Sequence, residues 1–288
     1  MASGSRSLVA VRSISAAVLI LLAVVGMVCA LPTMWAKERL VDSDGFTSMT
    51  APLAKRHDVQ RVIADELSTQ IAASVGNAVP AAVIHPLATK YVESDQFPQD
   101  FTEVTRQEHD WLFNSPGAGT GPGTIMSVDL TNMANRLVQN FGLSVRIPGR
   151  ITIPLSDSAR SGLEAGRYKK LGDRTKQIAV ISLSVVLIAA LGALLVARRR
   201  GMVLVSLGVG MIIAGVVSWV SGAAVKGRAA DEVSGAASAP KQLAQVIINH
   251  ALADLQRWVY ITGAVGVAVI AVGLLVSLTL DRAANSRY

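Results

Sequence analysis

Apolar and charged positions are distributed very unevenly along the chain. Residues 13–36, 177–197, 201–225 and 258–280 contain no Asp, Glu, Lys, Arg or His, and these intervals are 24, 21, 25 and 23 residues long. A hydrocarbon core of about 30 Å takes roughly 20 residues of helix, so each interval predicts a transmembrane helix. Between the first two lies a different pattern. Over residues 57–75, Val59, Val62, Ile63, Leu67, Ile71 and Val75 recur at i, i+3, i+4 spacing, opposite Arg61, Asp65, Glu66 and Gln70. That predicts an amphipathic helix. Further helices are expected over 80–92 and 98–113, with Pro80 and Pro98 in the tolerated first turn and Pro86 a point where the former can bend. A shorter one is expected over 46–54, capped by Ser43 or Asp44.

Two short runs alternate instead. Met126, Val128 and Leu130 are interleaved with Ser127 and Asp129, and Ile151, Ile153 and Leu155 with Thr152 and Pro154. Both read as strands with one buried face, the second at an edge because Pro154 lacks a donor. Between them Leu130, Met133, Ala134, Leu137, Val138 and Phe141 return to helical spacing, with Gly142 as the stop. The expected fold class is therefore an α-helical membrane protein: four transmembrane helices plus a mainly helical domain carrying a short two-stranded β ribbon.

The first apolar interval also has to be weighed as a secretory signal. Arg6 and Arg12 precede it, and Val28-Cys29-Ala30 loosely matches a small-x-small cleavage site, but the apolar run continues through Leu31-Pro32 to Met34 and Trp35. A signal h-region is about 7–15 residues, so an uncleaved anchor is the better reading. The bulky Val28 argues against a lipidated Cys29, which is expected to be a small packing residue.

Composition agrees with a membrane protein: 51% of residues are apolar, 16% are charged and the mean hydropathy is +0.45. A typical soluble domain is about a quarter charged. The net charge of +7 at first suggests a polyanionic partner. Its distribution suggests otherwise. Arg6 and Arg12 precede the first span, Arg198, Arg199 and Arg200 join the second to the third, and Arg282 and Arg287 follow the fourth. With four crossings all these flanks fall on one side, which the positive-inside rule makes the cytoplasm. These flanks hold seven Arg against Asp281, a net +6, whereas residues 37–176 hold 16 basic and 16 acidic residues. No basic stripe typical of nucleic-acid binding is left over.

The expected organisation is then a cytoplasmic N-terminus (1–12), the first span (13–36), an extracytoplasmic domain (37–176), the second span (177–197), a cytoplasmic turn (198–200) and the third span (201–225). An extracytoplasmic loop with an amphipathic helix (226–257), the fourth span (258–280) and a cytoplasmic C-terminus (281–288) complete it. The location is the plasma membrane, with both termini inside.

Chemical motifs are sparse. DSDG at 42–45 resembles the start of a calcium loop, but position 12 from Asp42 is Leu53, not Glu. GAGTGPG at 117–123 imitates a phosphate loop without the preceding strand, and Pro122 removes a donor, so NSPGAGTGPG at 114–123 reads as a flexible loop and no nucleotide is expected. His57, His85, His109 and His250 form no close-spaced metal pair. Ser238-Ala-Pro-Lys241 has the spacing of some acyl-transfer sites, but Ser238 is better placed to cap a helix beginning at Pro240. Glu108, His109 and Asp110 are the acid/base candidates, although neighbours on a helix point to different faces. In the third span Ser206, Gly210, Ala214, Ser218 and Gly222 recur every four residues as a helix-packing seam. The absence of charge within the spans weighs against an ion-coupled carrier.

VDSDGFTSMTAPLAKRHDVQRVIADELSTQI after the first span, SDQFPQDFTEVTRQEH, SVDL and RITIPLSD together resemble a family of uncharacterised actinobacterial four-helix membrane proteins with an extracytoplasmic domain between helices one and two. The resemblance covers nearly the whole chain. It implies that His109, Asp42 and Asp44 occupy family positions, and it brings no activity, substrate or cofactor. The expectation is a non-catalytic binding or scaffolding subunit of the cell envelope. Its partners would be membrane lipids and either an envelope protein or a second copy of itself, with no cofactor, metal or nucleic acid. An extracytoplasmic enzyme with dispersed acid/base residues, or a transporter accessory subunit, is the alternative.

Overall fold

The computed structural model describes residues 3–75, 81–114, 127–129, 131–140, 152–154, 165–197, 199–232 and 238–285. The chain divides into two compact units. One comprises Met1–Lys37, Asp173–Val225 and Ala253–Tyr288, and the other Glu38–Gly172 and Lys226–Leu252.

The first unit is built from long helices: α1 (Ser3–Ala36), α7 (Lys169–Val196), α8 (Arg200–Glu232) and α9 (Ser238–Asn285), the last two extending into residues of the second unit. Among the described residues, four helices are long and apolar enough to cross a membrane. Ile14, Leu21, Ile188, Leu195, Val216 and Leu275 are all at least half exposed. Such a surface requires a nonpolar solvent. The helices overrun the charge-free intervals at both ends, because the absence of charge marks the hydrocarbon thickness and not the limits of backbone hydrogen bonding. Thus α9 has 48 residues and starts at Ser238 itself, with Pro240 third, so Ser238 is not a cap outside the helix.

Small side chains let these helices approach. Ala23, Ala189, Ala193, Val203 and Leu207 form a buried cluster of α1, α7 and α8. α1 and α7 are antiparallel: a Cβ added at Gly26 would lie 2.8 Å from Val186, one at Gly192 would lie 3.3 Å from Leu19, and Arg12 Nη2 donates to Val196 O at 3.4 Å. Ser182 and Ser218, both buried, donate to the carbonyls of Ile178 and Ala214 within their own helices, at 2.6 and 2.7 Å. Neither of these two hydroxyls is thereby left unbonded in hydrocarbon. Trp35 Nε1 donates to Asp254 Oδ2 at 3.0 Å, joining α1 to α9. Cys29 is exposed on α1, so it faces away from the bundle and does not pack between its helices.

The second unit begins with a π-helical turn, Lys37–Val41, followed by α2 (Ser43–Thr50) and a 3₁₀ turn, Ala51–Lys55. Asp42, not Ser43 or Asp44, is the N-cap residue of α2, and its side chain makes no capping bond. The helix starts earlier than expected because Phe46 N–H already donates to Asp42 O at 2.9 Å, which places Ser43 and Asp44 inside the first turn. Next come α3 (His57–Val75), α4 (Ala81–Val92), which stays helical through Pro86, and α5 (Phe97–Phe113). The expected stripe of α3 is inside: Val59, Ile63, Leu67 and Ile71 are buried with Ile84, Tyr91, Phe97, Phe101 and Met133. Leu243, Val246 and Ile247 from the start of α9 pack on this core at i, i+3, i+4 spacing. The backbone of β1 (Ser127–Asp129) pairs antiparallel with β2 (Thr152–Pro154), Val128 opposite Ile153, and α6 (Thr131–Asn140) lies between them in sequence. The 117–123 loop and Gly142 lie outside the described residues.

Candidate functional site

The three acid/base candidates of α5 have separate environments. His109 is 4% exposed. Its Nε2–H donates to Leu40 O at 3.0 Å, and its ring stacks on Phe113 at 4.6 Å and lies 5.1 Å from Phe46. The i, i+4 spacing of His109 and Phe113 produces the stack, and Phe113 continues it to Tyr168 at 5.9 Å. These contacts fasten α5 to α2 and to the π turn. Asp110 Oδ1 is 3.8 Å from His109 Nδ1 and half-exposed. Among the described residues Glu108 forms no hydrogen bond or ion pair, and burial pushes its carboxyl up to about 7. One turn further, Trp111 Nε1 is buried without a hydrogen-bond partner among the described residues.

A charged network that the sequence did not single out lies two to three turns upstream. Asp100, 6% exposed, accepts from the Tyr91 hydroxyl at 2.5 Å and from Arg136 Nη1. Burial raises the Tyr91 phenol above its ordinary range, and the hydrogen bond and negative charge of Asp100 raise it further. Tyr91 therefore stays neutral and acts as a donor. A signal was present: Asp100 falls beside Phe97 and Phe101 on the stripe of α5 that becomes buried, where an acid needs a partner. Asp100 and Arg136 also border an open cleft of about 750 Å³ between α5 and α6, lined further by Gln99, Glu103, Gln107 and Asn132. Arg106, on the same cleft, pairs with Asp44 at 3.1 Å. The cleft can offer carboxylates, guanidinium groups and carboxamides to a polar ligand.

The remaining histidines are dispersed. His85 Nε2 is 2.9 Å from Asp65 Oδ1 on the exposed side of α3 and α4. His57 is exposed and His250 half-buried. The membrane seam lies within the chain's own bundle: Gly210, Ala214, Ser218 and Gly222 are buried and Ser206 is half-buried. A Cβ at Gly210 would be 2.7 Å from Val24 of α1. Of the topology arginines, Arg198 and Arg287 lie outside the described residues, Arg12, Arg199 and Arg200 are exposed, and Arg6 and Arg282 fall in the terminal turns of α1 and α9. No protein-family model, curated protein or solved structure matches this chain.

Proposed function

We propose that the protein is a plasma-membrane component of the actinobacterial cell envelope that presents residues 37–176 outward, with a short β ribbon, as a non-catalytic binding or scaffolding subunit. The observation carrying this reading is the use made of His109: its ring is enclosed by Phe46 and Phe113 and bonded to Leu40 O, a structural role. The open, polar α5/α6 cleft is the surface on which the unit would take its partner. The proposed orientation rests on the arginine flanks. Helix lengths are in keeping with it: Arg12 to Trp35, Arg200 to Trp219 and Tyr260 to Arg282 each span about 29–35 Å of helix axis. These three spans therefore have an arginine at one end and an aromatic at the other, spaced like the two interfaces of a bilayer.

Reporter fusions test the orientation, with a fusion after residue 288 active only inside and one within 37–176 active only outside. Crosslinking in native membranes tests the role. Recovery of an envelope protein or a second copy on α5 or α6 supports it, and crosslinks to lipid alone count against it. Glu108, titrating near neutrality, favours a second reading as an envelope enzyme. That reading requires Glu108→Gln to abolish function at unchanged abundance.

A further inference from the structure

The α5/α6 cleft lies wholly within the second compact unit. Its two walls carry different chemistry at the same helical spacing. On α5 Gln99, Glu103 and Gln107 recur every four residues, and on α6 Asn132 and Arg136 do so, which puts each set on one face of its helix. The charged member of each set is held by a neighbour. Arg136, whose side chain is 42% exposed, gives Nη1 to the buried Asp100, and Asp100 is fixed in turn by the Tyr91 hydroxyl. Glu103 is exposed and accepts from Gln107 Nε2 at 3.3 Å.

What each group has left over decides what the cleft can take. A guanidinium carries N–H donors on three nitrogens, and among the described residues Arg136 engages only Nη1. Asn132 and Gln99, on the same cleft, make no side-chain hydrogen bond among the described residues. Together these donors suit a carboxylate. Glu103 has no cation beside it, because Arg106 is paired with Asp44 at 3.1 Å, so it is available to a positive group. The charges of Asp100, Glu103, Arg106 and Arg136 cancel. A net anion such as phosphate meets Asp100 and Glu103 as like charges, and a simple cation meets the two guanidinium groups. A ligand with one charge of each sign avoids both penalties. Residues three apart on a helix have Cβ atoms about 5–6 Å apart, so Glu103 lies about that far from the Asp100 that anchors the guanidinium. Two extended peptide residues span at most about 7 Å.

We infer that the α5/α6 cleft binds a short peptide with both ends free, its carboxylate on Arg136 and its ammonium on Glu103. The inference rests on the binding role proposed for this cleft and not on the side of the membrane it faces. Asp100 and Gln107 hold the two receiving groups in place before the ligand arrives, which lowers the ordering cost of binding.

Calorimetric titration of the full-length protein in detergent with the dipeptide alanyl-alanine tests this. Saturable binding is expected, and N-acetylation or C-amidation of the dipeptide should each weaken it at least about tenfold, since each removes a charge-assisted contact. Glu103→Gln should bind the free and the acetylated dipeptide alike, and Arg136→Gln the free and the amidated one. No saturable binding, equal affinity of the wild type for free and blocked forms, or a Glu103→Gln protein that still prefers the free amine would overturn the inference. So would inorganic phosphate binding more tightly than the dipeptide, which would make the cleft an anion site. Arg136→Gln leaves the buried Asp100 short of a partner; if that variant fails to fold, the amidated dipeptide on the wild type decides the carboxylate contact. Should the dipeptide fail to bind while crosslinks in native membranes still recover a protein on α5 or α6, the peptide ligand is overturned and the binding role stands. Should it bind as expected while the crosslinks reach lipid alone, the ligand is supported and the protein partner is overturned.

Discussion

Replacing Gly45 with alanine sets two physical effects against each other. Gly45 lies in the first turn of α2 with ordinary negative φ, so backbone freedom is not the reason for glycine here. On helix propensity alone, alanine should stabilise by about 1 kcal/mol. Space predicts the opposite. A Cβ at this position would sit 1.6 Å from Glu38 O and 2.8 Å from Glu38 C, both backbone atoms of the π turn. Contact below 3.0 Å is not tolerated, so the turn and the helix must separate by more than an ångström. That displacement exceeds what the 3.0 Å bond from His109 to Leu40 O and the Phe46–His109 contact can absorb. Overpacking costs about 1–3 kcal/mol and an orphaned buried hydrogen-bonding group about 1–3 kcal/mol more, a net loss of roughly 1–5 kcal/mol after the propensity gain. For a unit of this size about 2–4 °C accompanies each kcal/mol, so the melting temperature of the purified protein in detergent, followed by tryptophan fluorescence, should fall by roughly 2–20 °C. Gly227→Ala is the matched control, since nothing lies within 4 Å of its added Cβ, and it should be neutral or slightly stabilising. A Gly45→Ala protein that melts at or above the wild-type temperature would refute the close-approach argument.

Three further outcomes are expected. Glu108 has its carboxyl raised to about 7 by burial, so the stability it contributes is fully present below its unfolded value near 4.5 and is lost as the pH rises through about 7. The loss is at most about 3 kcal/mol, since part of the residue remains accessible; Glu108→Gln should melt higher than wild type at about pH 8 and match it at about pH 4, and equal pH slopes for the two proteins would refute this. Asp100→Ala leaves the buried Tyr91 hydroxyl and Arg136 without their acceptor and should cost about 3–5 kcal/mol, against about 1–2 for Tyr91→Phe, as measured by denaturant or thermal melts. In the membrane unit, Gly208→Ala places a methyl 2.6 Å from Gly266 O and should lower the melting temperature, whereas Gly263→Ala, with nothing within 4 Å, should not.

The sequence was most informative where one periodicity acted alone. α3 runs from His57 to Val75, the limits its apolar stripe implied, because a single buried face sets its register. The π turn at Lys37–Val41 and the 3₁₀ turn at Ala51–Lys55 have no comparable signature, since each is an adjustment of helix pitch imposed by a neighbouring element. The close approach at Gly45 has no signature in the sequence, because only the third dimension brings Glu38 beside it. The site residues divide in the same way. Glu108, His109 and Asp110 attracted notice as a local cluster, but a helix sends adjacent side chains apart, and the charged group with dedicated partners is Asp100, assembled from α4, α5 and α6 across 9 and 36 residues of sequence.

The membrane helices show why one small-residue pattern was legible and another was not. The seam at Ser206, Gly210, Ala214, Ser218 and Gly222 repeats every four residues within one helix and is visible without knowing its partner. The closer contact belongs to α8 with α9. There Gly201 faces Gly273, Gly208 faces Gly266 and Gly215 faces Val259, and the residue numbers of every facing pair add to the same total. A constant sum is the signature of antiparallel register, and steps of seven on both helices keep one seam in contact along a left-handed crossing. Neither helix alone announces it, because glycines seven apart are common in an apolar segment. Where the pair is two glycines an added Cβ would come within 2.5–2.9 Å of the opposite carbonyl, and where valine replaces one of them the nearest atom is 3.4 Å away. Val259 therefore marks the end of the closest approach, and Gly215, unlike Gly208, should accept alanine.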